Sequence, residues 1–142
     1  MTAEQGTTLS IISLPTRDSA VEIPWDTGIA KSRGIFGFDS MDARSRSFNL
    51  IRARLLELQA KKGWRMIGVV SATPNVGKSF ISANVAAALS RDPRFQTYLI
   101  DLDLRRGSLS NIFGLAPELG VRDYLEGSPG ADVPLAYRPE GE

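Results

Sequence analysis

The stretch from Met66 to Ser79 constrains the fold of this 142-residue chain more than any other. Its first part, Met66–Val70, is a short apolar run rich in β-branched residues, which predicts a buried strand. Turn-forming residues follow and end in Gly77-Lys78-Ser79. The next residues, Phe80–Ser90, carry apolar side chains at helical spacing. A strand, a loop and a helix in this order provide the context that a phosphate-binding loop requires.

The loop follows the pattern G-x-x-x-x-G-K-[ST], except that Ala72 replaces the first glycine. Backbone N–H groups of such a loop and of the following helical turn point at phosphate oxygens. We predict that Lys78 lies near the β- and γ-phosphates and that the Ser79 hydroxyl ligates Mg²⁺. The predicted nucleotide-binding residues are Thr73, Pro74, Asn75, Val76, Gly77, Lys78, Ser79 and Phe80. The alternative is a chance Gly-Lys-Ser at a helix start, with an exposed lysine.

A pair of carboxylates lies at the end of the next predicted strand, which spans residues 97–101. Asp101 and Asp103 are two residues apart, so both side chains point the same way if the strand continues that far. In doubly wound sheets, ligands bind beyond the carboxyl ends of the strands, where this pair and the loop would meet. We predict that Asp101 and Ser79 hold the metal, and that Asp103 accepts a proton during phosphoryl transfer. The reverse assignment of the two carboxylates stays open, as does an ordinary acidic turn paired with Arg105.

The two predicted strands and the helix between them form a strand–helix–strand unit. Such a unit predicts parallel strands with a right-handed crossover, and hence an α/β fold with a mainly parallel sheet. The domain is expected to cover residues 40–126 and to begin with a helix over about Met41–Lys61, capped by Ser40. Residues 1–39 are expected to be a mobile leader, and the Gly- and Pro-rich residues 127–142 to be unstructured.

Composition excludes several classes of site and partner. A net charge of +1 gives no broad field that would attract nucleic acid or acidic lipid, so no nucleic-acid partner is predicted. No segment approaches the ~20 apolar residues of a membrane span, and no signal-peptide pattern is visible. The chain has no cysteine, which fits the cytoplasm. It also has no histidine, so a general base must be a carboxylate or another group.

From about Phe48 to Gly127 the chain resembles the cytoplasmic domain of bacterial tyrosine kinases of capsule and exopolysaccharide biosynthesis, the BY-kinases of the CpsD/CapB type. The residues that carry the resemblance are Ala72, Pro74, Gly77, Lys78 and Ser79 in the loop, Asp101, Asp103 and Arg105 after the second strand, and the segments 106–115 and 120–125. Partition and septum-site ATPases share the architecture but carry an extra lysine where this chain has Thr73.

The resemblance implies a P-loop NTPase fold with three α/β/α layers, ATP and Mg²⁺ as cofactors, and autophosphorylation on tyrosine, with Lys78, Asp101 and Asp103 as the catalytic residues. It also implies a membrane polysaccharide co-polymerase or adaptor protein as partner. That partner would recruit the protein from the cytoplasm to the inner face of the plasma membrane.

The chain departs from the family pattern at three places. The family's Glu/Arg/Arg oligomerisation motif corresponds to Arg46, Asn49 and Arg52, so only the last matches, and a homo-oligomer stays an open alternative. The acidic-proline strand is expected beyond Glu142, and the tyrosine-rich tail is absent. The chain is therefore expected to be a C-terminally truncated, incomplete domain. Two other functions stay open: a non-catalytic ATP-binding interaction module of the export machinery, and a partition-type ATPase.

Overall fold

The computed structural model describes residues 14–131 and 137–139. The helices are α1 (Thr27–Ser32), α2 (Arg46–Lys62), α3 (Lys78–Ser90), α4 (Leu109–Phe113) and α5 (Val121–Glu126), and the strands are β1 (Val21–Ile23) and β2 (Tyr137–Pro139). Residues 25–118 form one compact unit, which carries α1 to α4. The described residues before and after it form a second unit, which carries β1, α5 and β2. None of the described helices has the length and apolar character needed to cross a bilayer.

The second unit contains the only strands among the described residues. β1 and β2 pair in parallel, with Val21 opposite Tyr137 and Ile23 opposite Pro139. Arg138 donates to the Glu22 carboxylate at 2.8 Å across this pair. The prediction that residues 127–142 are unstructured is therefore wrong at β2. The rest of that stretch is only partly described, and the first thirteen residues of the predicted leader lie outside the described residues.

The core of the larger unit lies between α2 and α3. Phe48 of α2 is buried with Val85 and Ala88 of α3, and the partly buried side chains of Phe36, Leu55 and Leu89 pack around them. α3 spans Lys78–Ser90, as its helical spacing predicts.

The predicted start of α2 is wrong. The helix starts at Arg46 instead of Met41 because a 3₁₀ turn precedes it over Ala43–Ser45. The Asp42 side chain caps that turn by accepting the Arg44 N–H, so the predicted capping role of Ser40 is also wrong. The helix ends before Gly63, whose φ of 68° is the left-handed conformation typical of a helix C-terminus.

The segment 34–37 packs against α3 through one buried amide. The Asn84 side chain is fully buried. Its Oδ1 accepts the N–H groups of Phe36 and Gly37 at 2.6 and 3.0 Å. Its Nδ2 donates to the carbonyls of Gly34 and Phe80 at 2.8 and 3.0 Å. Residues 34–37 are thus held on the domain, because the Asn84 amide satisfies backbone groups that would otherwise be buried without partners. The prediction of a mobile leader through residue 39 is wrong for these residues.

The two strands predicted from the apolar runs are not formed. The structure assigns neither 65–71 nor 97–101 to a strand, and residues 65–71 make no backbone hydrogen bond to another described segment. Met66 and Val70 are 92% and 89% exposed, and Ile100 is 48% exposed. A strand requires a hydrogen-bonded neighbour, and the described residues supply none to residues 65–71. The helices and the parallel pair are compatible with the α/β class, and the three-layer P-loop NTPase fold stays a prediction.

Acid is expected to weaken the contacts at the end of α3. The Asp92 carboxylate accepts hydrogen bonds from the Arg94 side chain at 2.7 and 2.9 Å and lies 3.5 Å from the Arg52 guanidinium of α2. The hydrogen bonds from Arg94 are the main cause that lowers the pKa of Asp92 from 3.8 to about 2. A lowered pKa stabilises the folded state above pH 3.8, and this stabilisation is lost as the pH falls through about 2.

We therefore expect the melting temperature of the parent protein to fall more steeply between pH 4 and pH 2 than that of Asp92→Asn, which has no carboxylate to protonate. Circular dichroism melts at half-unit steps of pH measure both slopes. Parallel curves for the two proteins would show that Asp92 does not contribute to the acid sensitivity.

Candidate nucleotide-binding site

A pocket of about 350 Å³ opens at the N-terminus of α3. Two segments far apart in sequence line it: the loop and first turn of α3 on one side, and the segment between Asp101 and α4 on the other. The lining residues are Pro74, Asn75, Gly77, Lys78, Ser79, Phe80, Asp103, Arg106 and Ser108. The structure thus brings the predicted loop and one of the two predicted carboxylates together.

The backbone of the loop explains why Gly77 precedes the helix. Gly77 has a φ of 91° and Asn75 a φ of 58°, both in the left-handed region, where glycine and asparagine are the residues best tolerated. A Cβ atom at Gly77 would meet nothing within 4 Å, so this side of the loop is open. The N-cap residue of α3 is Gly77, which has no side chain that could cap the helix. The first N–H groups of the helix, which have no partner inside it, are therefore available to an anion.

Lys78 and Arg106 are the two cations of the lining. Within the described part of the chain, neither side chain forms an ion pair. Asp103 is the only carboxylate among the residues that line this pocket. Two cations and a helix N-terminus against one carboxylate make the pocket suited to a multiply charged anion.

Ser79 and Ser108 connect the two sides of the pocket. Their hydroxyl oxygens are 2.5 Å apart, a hydrogen bond in which either can donate. Ser108 is held in turn by Asp101, whose Oδ2 accepts the N–H groups of Ser108 and Leu109 at 2.9 and 3.0 Å. Asp101 thus positions the start of α4, and through Ser108 it positions the predicted metal ligand Ser79.

The two predicted carboxylates occupy different environments. Asp101 is not part of the lining, and its Oδ1 accepts the Asp103 N–H at 3.0 Å. Asp103 lines the pocket, and its Oδ1 accepts the Arg106 N–H at 3.1 Å, while its Oδ2 accepts no hydrogen bond from the described residues. The expectation that both point the same way fails, because the strand does not continue and Asp101 instead accepts N–H groups of the loop that follows it.

Some of the other predicted binding residues line the pocket and others do not. Thr73 and Val76 do not line the pocket, and the Thr73 carbonyl accepts the Ser71 hydroxyl at 2.7 Å. Phe80 lines the pocket, with its ring edge-to-face on Phe48 at 5.8 Å. Their roles in nucleotide binding stay predictions. Sequence reasoning missed Arg106 and Ser108 as site residues, although both follow Asp103 within five positions.

The residues present fit a magnesium ion bound together with phosphates. No group of three or more carboxylates that could hold a metal alone occurs among the described residues. Mg²⁺ in phosphoryl-transfer sites needs only one or two protein ligands, because phosphate oxygens and water supply the rest. The Ser79 hydroxyl, which lines the pocket, is an oxygen ligand of this kind.

Comparison with curated proteins finds relatives among bacterial tyrosine kinases. The chain is 31% identical over 129 residues to EpsB of Ralstonia solanacearum, which is named as a tyrosine-protein kinase; the match covers 88% of this chain and 17% of the relative. It is 39% identical over 59 residues to the tyrosine-protein kinase etk of Escherichia coli K12, a match that covers 42% of this chain and 8% of the relative.

A third relative carries a different name. The succinoglycan biosynthesis transport protein ExoP of Rhizobium meliloti is 41% identical over 63 residues, a match that covers 44% of this chain and 8% of ExoP. No protein-family model matches the chain, and no solved structure matches it significantly. The chain spans less than a fifth of the length of these relatives, at most 17%. Over that segment, this chain is a relative of bacterial proteins named as tyrosine-protein kinases and of a succinoglycan biosynthesis transport protein.

Proposed function

We propose that this chain binds ATP with Mg²⁺ at the N-terminus of α3 and takes part in phosphoryl transfer to protein tyrosine in exopolysaccharide biosynthesis. The observation that carries the proposal is the pocket in which Lys78, Ser79 and Asp103 meet. The cations and the helix N-terminus of the pocket can bind a polyphosphate, and its carboxylate can accept a proton. The names of the relatives support the reaction and the pathway.

Each side chain has a distinct part in this proposal. Lys78 neutralises charge on the β- and γ-phosphate oxygens, and the N–H groups at the start of α3 bind the same oxygens. Ser79 is the side chain that would hold Mg²⁺, which would supply further neutralisation of the phosphate charge when bound. Asp103 accepts the proton of the attacking tyrosine hydroxyl. As that proton leaves, the tyrosine oxygen bonds to the γ-phosphorus, and the bond from the γ-phosphorus to the β–γ bridging oxygen breaks. ADP leaves with the bridging oxygen.

The proposal extends to a partner. A membrane polysaccharide co-polymerase or adaptor protein would recruit the chain to the inner face of the plasma membrane. Support comes from the relative ExoP, whose name describes a transport protein.

A second candidate function has its own support in the structure. The Asp101 carboxylate accepts three backbone N–H groups and lies outside the pocket lining. A chain with only one carboxylate at the phosphates would bind ATP and signal to a partner without useful turnover. This is the non-catalytic interaction module.

Incubation with γ-labelled ATP and Mg²⁺ separates the two functions. Label transferred to tyrosine of the protein supports the kinase. Stoichiometric nucleotide binding without label supports the interaction module. Absence of nucleotide binding contradicts both.

The two carboxylates are expected to differ in variants built into a complete homologue. Asp103→Asn should lower the rate of phosphoryl transfer by about 10²–10⁴-fold, the usual contribution of a general base, with little change in ATP affinity. Asp101→Asn should weaken the dependence on Mg²⁺ indirectly, because Asp101 holds Ser108, which is hydrogen-bonded to the metal ligand Ser79. It should also lower the melting temperature, because an amide supports the start of α4 less well than a carboxylate. Rates equal to the parent's in both variants would refute the assignment.

A further inference from the structure

We propose that Arg106 is the residue by which this site distinguishes a nucleoside triphosphate from a diphosphate. The inference rests on the proposed function and deepens it. Arg106 lines the pocket together with Lys78 and Ser79, although it is 27 positions away from Ser79 in sequence. Its role is to bind the terminal phosphate, which is present in ATP and absent from ADP.

The backbone of Arg106 is fixed relative to Ser79. The Arg106 N–H donates to the Oδ1 and to the carbonyl oxygen of Asp103, at 3.1 and 3.2 Å. Two residues later, the Ser108 hydroxyl is 2.5 Å from the Ser79 hydroxyl. Hydrogen bonds between Asp103 and Arg106 therefore fix the turn within the segment 103–108, and Ser108 attaches that segment to the start of α3. A side chain on this short segment projects from a defined position beside Ser79.

That position determines which phosphate Arg106 meets. In a phosphate-binding loop, the backbone of the loop surrounds the inner phosphates, and the lysine and serine at the start of the helix, here Lys78 and Ser79, face the terminal phosphates, where Ser79 would hold the metal. The segment that contacts Ser79 therefore lies beside the β- and γ-phosphates of the nucleotide, and not beside the inner phosphates that the loop surrounds. Arg106 is on that segment, so the γ-phosphate is the group within its reach.

The chemistry of arginine fits this role. Its guanidinium presents five donors in a planar fork, which suits two oxygens of one phosphate. Among the described residues no carboxylate pairs with Arg106, so an incoming phosphate does not have to displace one. The neighbouring Arg105 is also exposed and without an ion pair in this part of the chain, but it does not line the pocket. Arg105 is therefore a matched control of equal charge.

The test uses the full chain and two probes, the Mg²⁺ complexes of a non-hydrolysable ATP analogue and of ADP. Isothermal titration gives a Kd for each probe with the parent, Arg106→Ala and Arg105→Ala. We expect Arg106→Ala to weaken the ATP analogue about tenfold and to leave the ADP affinity within about twofold, as loss of a charge-assisted hydrogen bond to one phosphate would do. Arg106→Lys, which keeps the charge without the fork, should fall between the parent and the alanine variant. Arg105→Ala should change neither affinity by more than about twofold.

Each other outcome overturns the inference. Equal losses for both nucleotides would show a general electrostatic effect, and parent-like affinities would show that Arg106 does not contact the nucleotide. If the parent binds both probes and Arg106→Ala has the same two Kd values as the parent, this inference fails and the proposed function stands. If the parent binds neither probe, the proposed function fails with it. Should Arg106→Ala not fold, Arg106→Gln, which retains most of the length of the side chain, is measured in its place with the same expected selectivity.

Discussion

Replacement of Lys78 by methionine is expected to abolish nucleotide binding and to leave the fold nearly intact. Lys78 lines the pocket at the first position of α3, and its ammonium group makes no ion pair within the described residues, so the fold does not depend on its charge. The same charge is the one that the loop directs at the phosphates. Methionine keeps the length and the helix propensity of the side chain and removes only the charge.

Titration with a fluorescent ATP analogue measures the loss of binding, and a thermal melt measures the fold. Lys62→Met is the matched control, because Lys62 is an exposed residue in the last turn of α2, away from the pocket lining. The control should bind like the parent. Equal affinities of Lys78→Met and the parent would overturn the assignment of the phosphate-binding loop.

The largest loss of stability is expected for Gly37→Ala. A Cβ atom at Gly37 would overlap the Asn84 carbonyl oxygen and lie 2.9 Å from the Asn84 carbonyl carbon and 3.1 Å from the Ala88 nitrogen. All three are backbone atoms of α3, which cannot rotate away. The segment 34–37 would have to withdraw, and the buried Asn84 amide would lose the N–H groups of Phe36 and Gly37. Overpacking and broken hydrogen bonds together should cost about 2–4 kcal/mol.

Chemical denaturation of Gly37→Ala and of Gly68→Ala measures this cost against a matched control. A Cβ atom at Gly68 meets nothing within 4 Å, and Gly68 has no positive φ, so its substitution should change the free energy of unfolding by less than about 0.5 kcal/mol. If both variants unfold at the same denaturant concentration, the close packing of residues 34–37 on α3 is contradicted.

Local sequence patterns predicted the parts of the structure that depend on near neighbours. The extent of α3 follows from the spacing of its apolar residues, and the end of α2 follows from Gly63. The strand at 65–71 did not form because a strand depends on a neighbour that no local pattern specifies. The buried role of Asn84 was missed for a related reason, since a polar residue in a helix carries no sign of partners 47 to 50 positions away.

The candidate site shows the same division. Lys78, Ser79 and the other loop residues were identified because the chemistry of phosphate binding fixes their spacing. Ser108 lies 29 positions from Ser79, and the hydrogen bond between them exists only in the folded chain. Asp101 was predicted to hold the metal as one of two carboxylates at the end of a strand, yet its carboxylate accepts the N–H groups of Ser108 and Leu109. Sequence alone does not decide between a ligand and a helix cap.

The exposed apolar run at 66–70 also bears on the behaviour of the chain in concentrated solution. Its backbone N–H and carbonyl groups have no partner strand among the described residues, and it contains neither proline nor charge. Unpaired, uncharged, β-branched segments are templates on which strands of other molecules add. Self-association through this run competes with any pairing that would complete a sheet. We therefore expect this chain, when produced alone, to aggregate less in dilute solution. A peptide that pairs with residues 66–70 should raise the solubility of the chain.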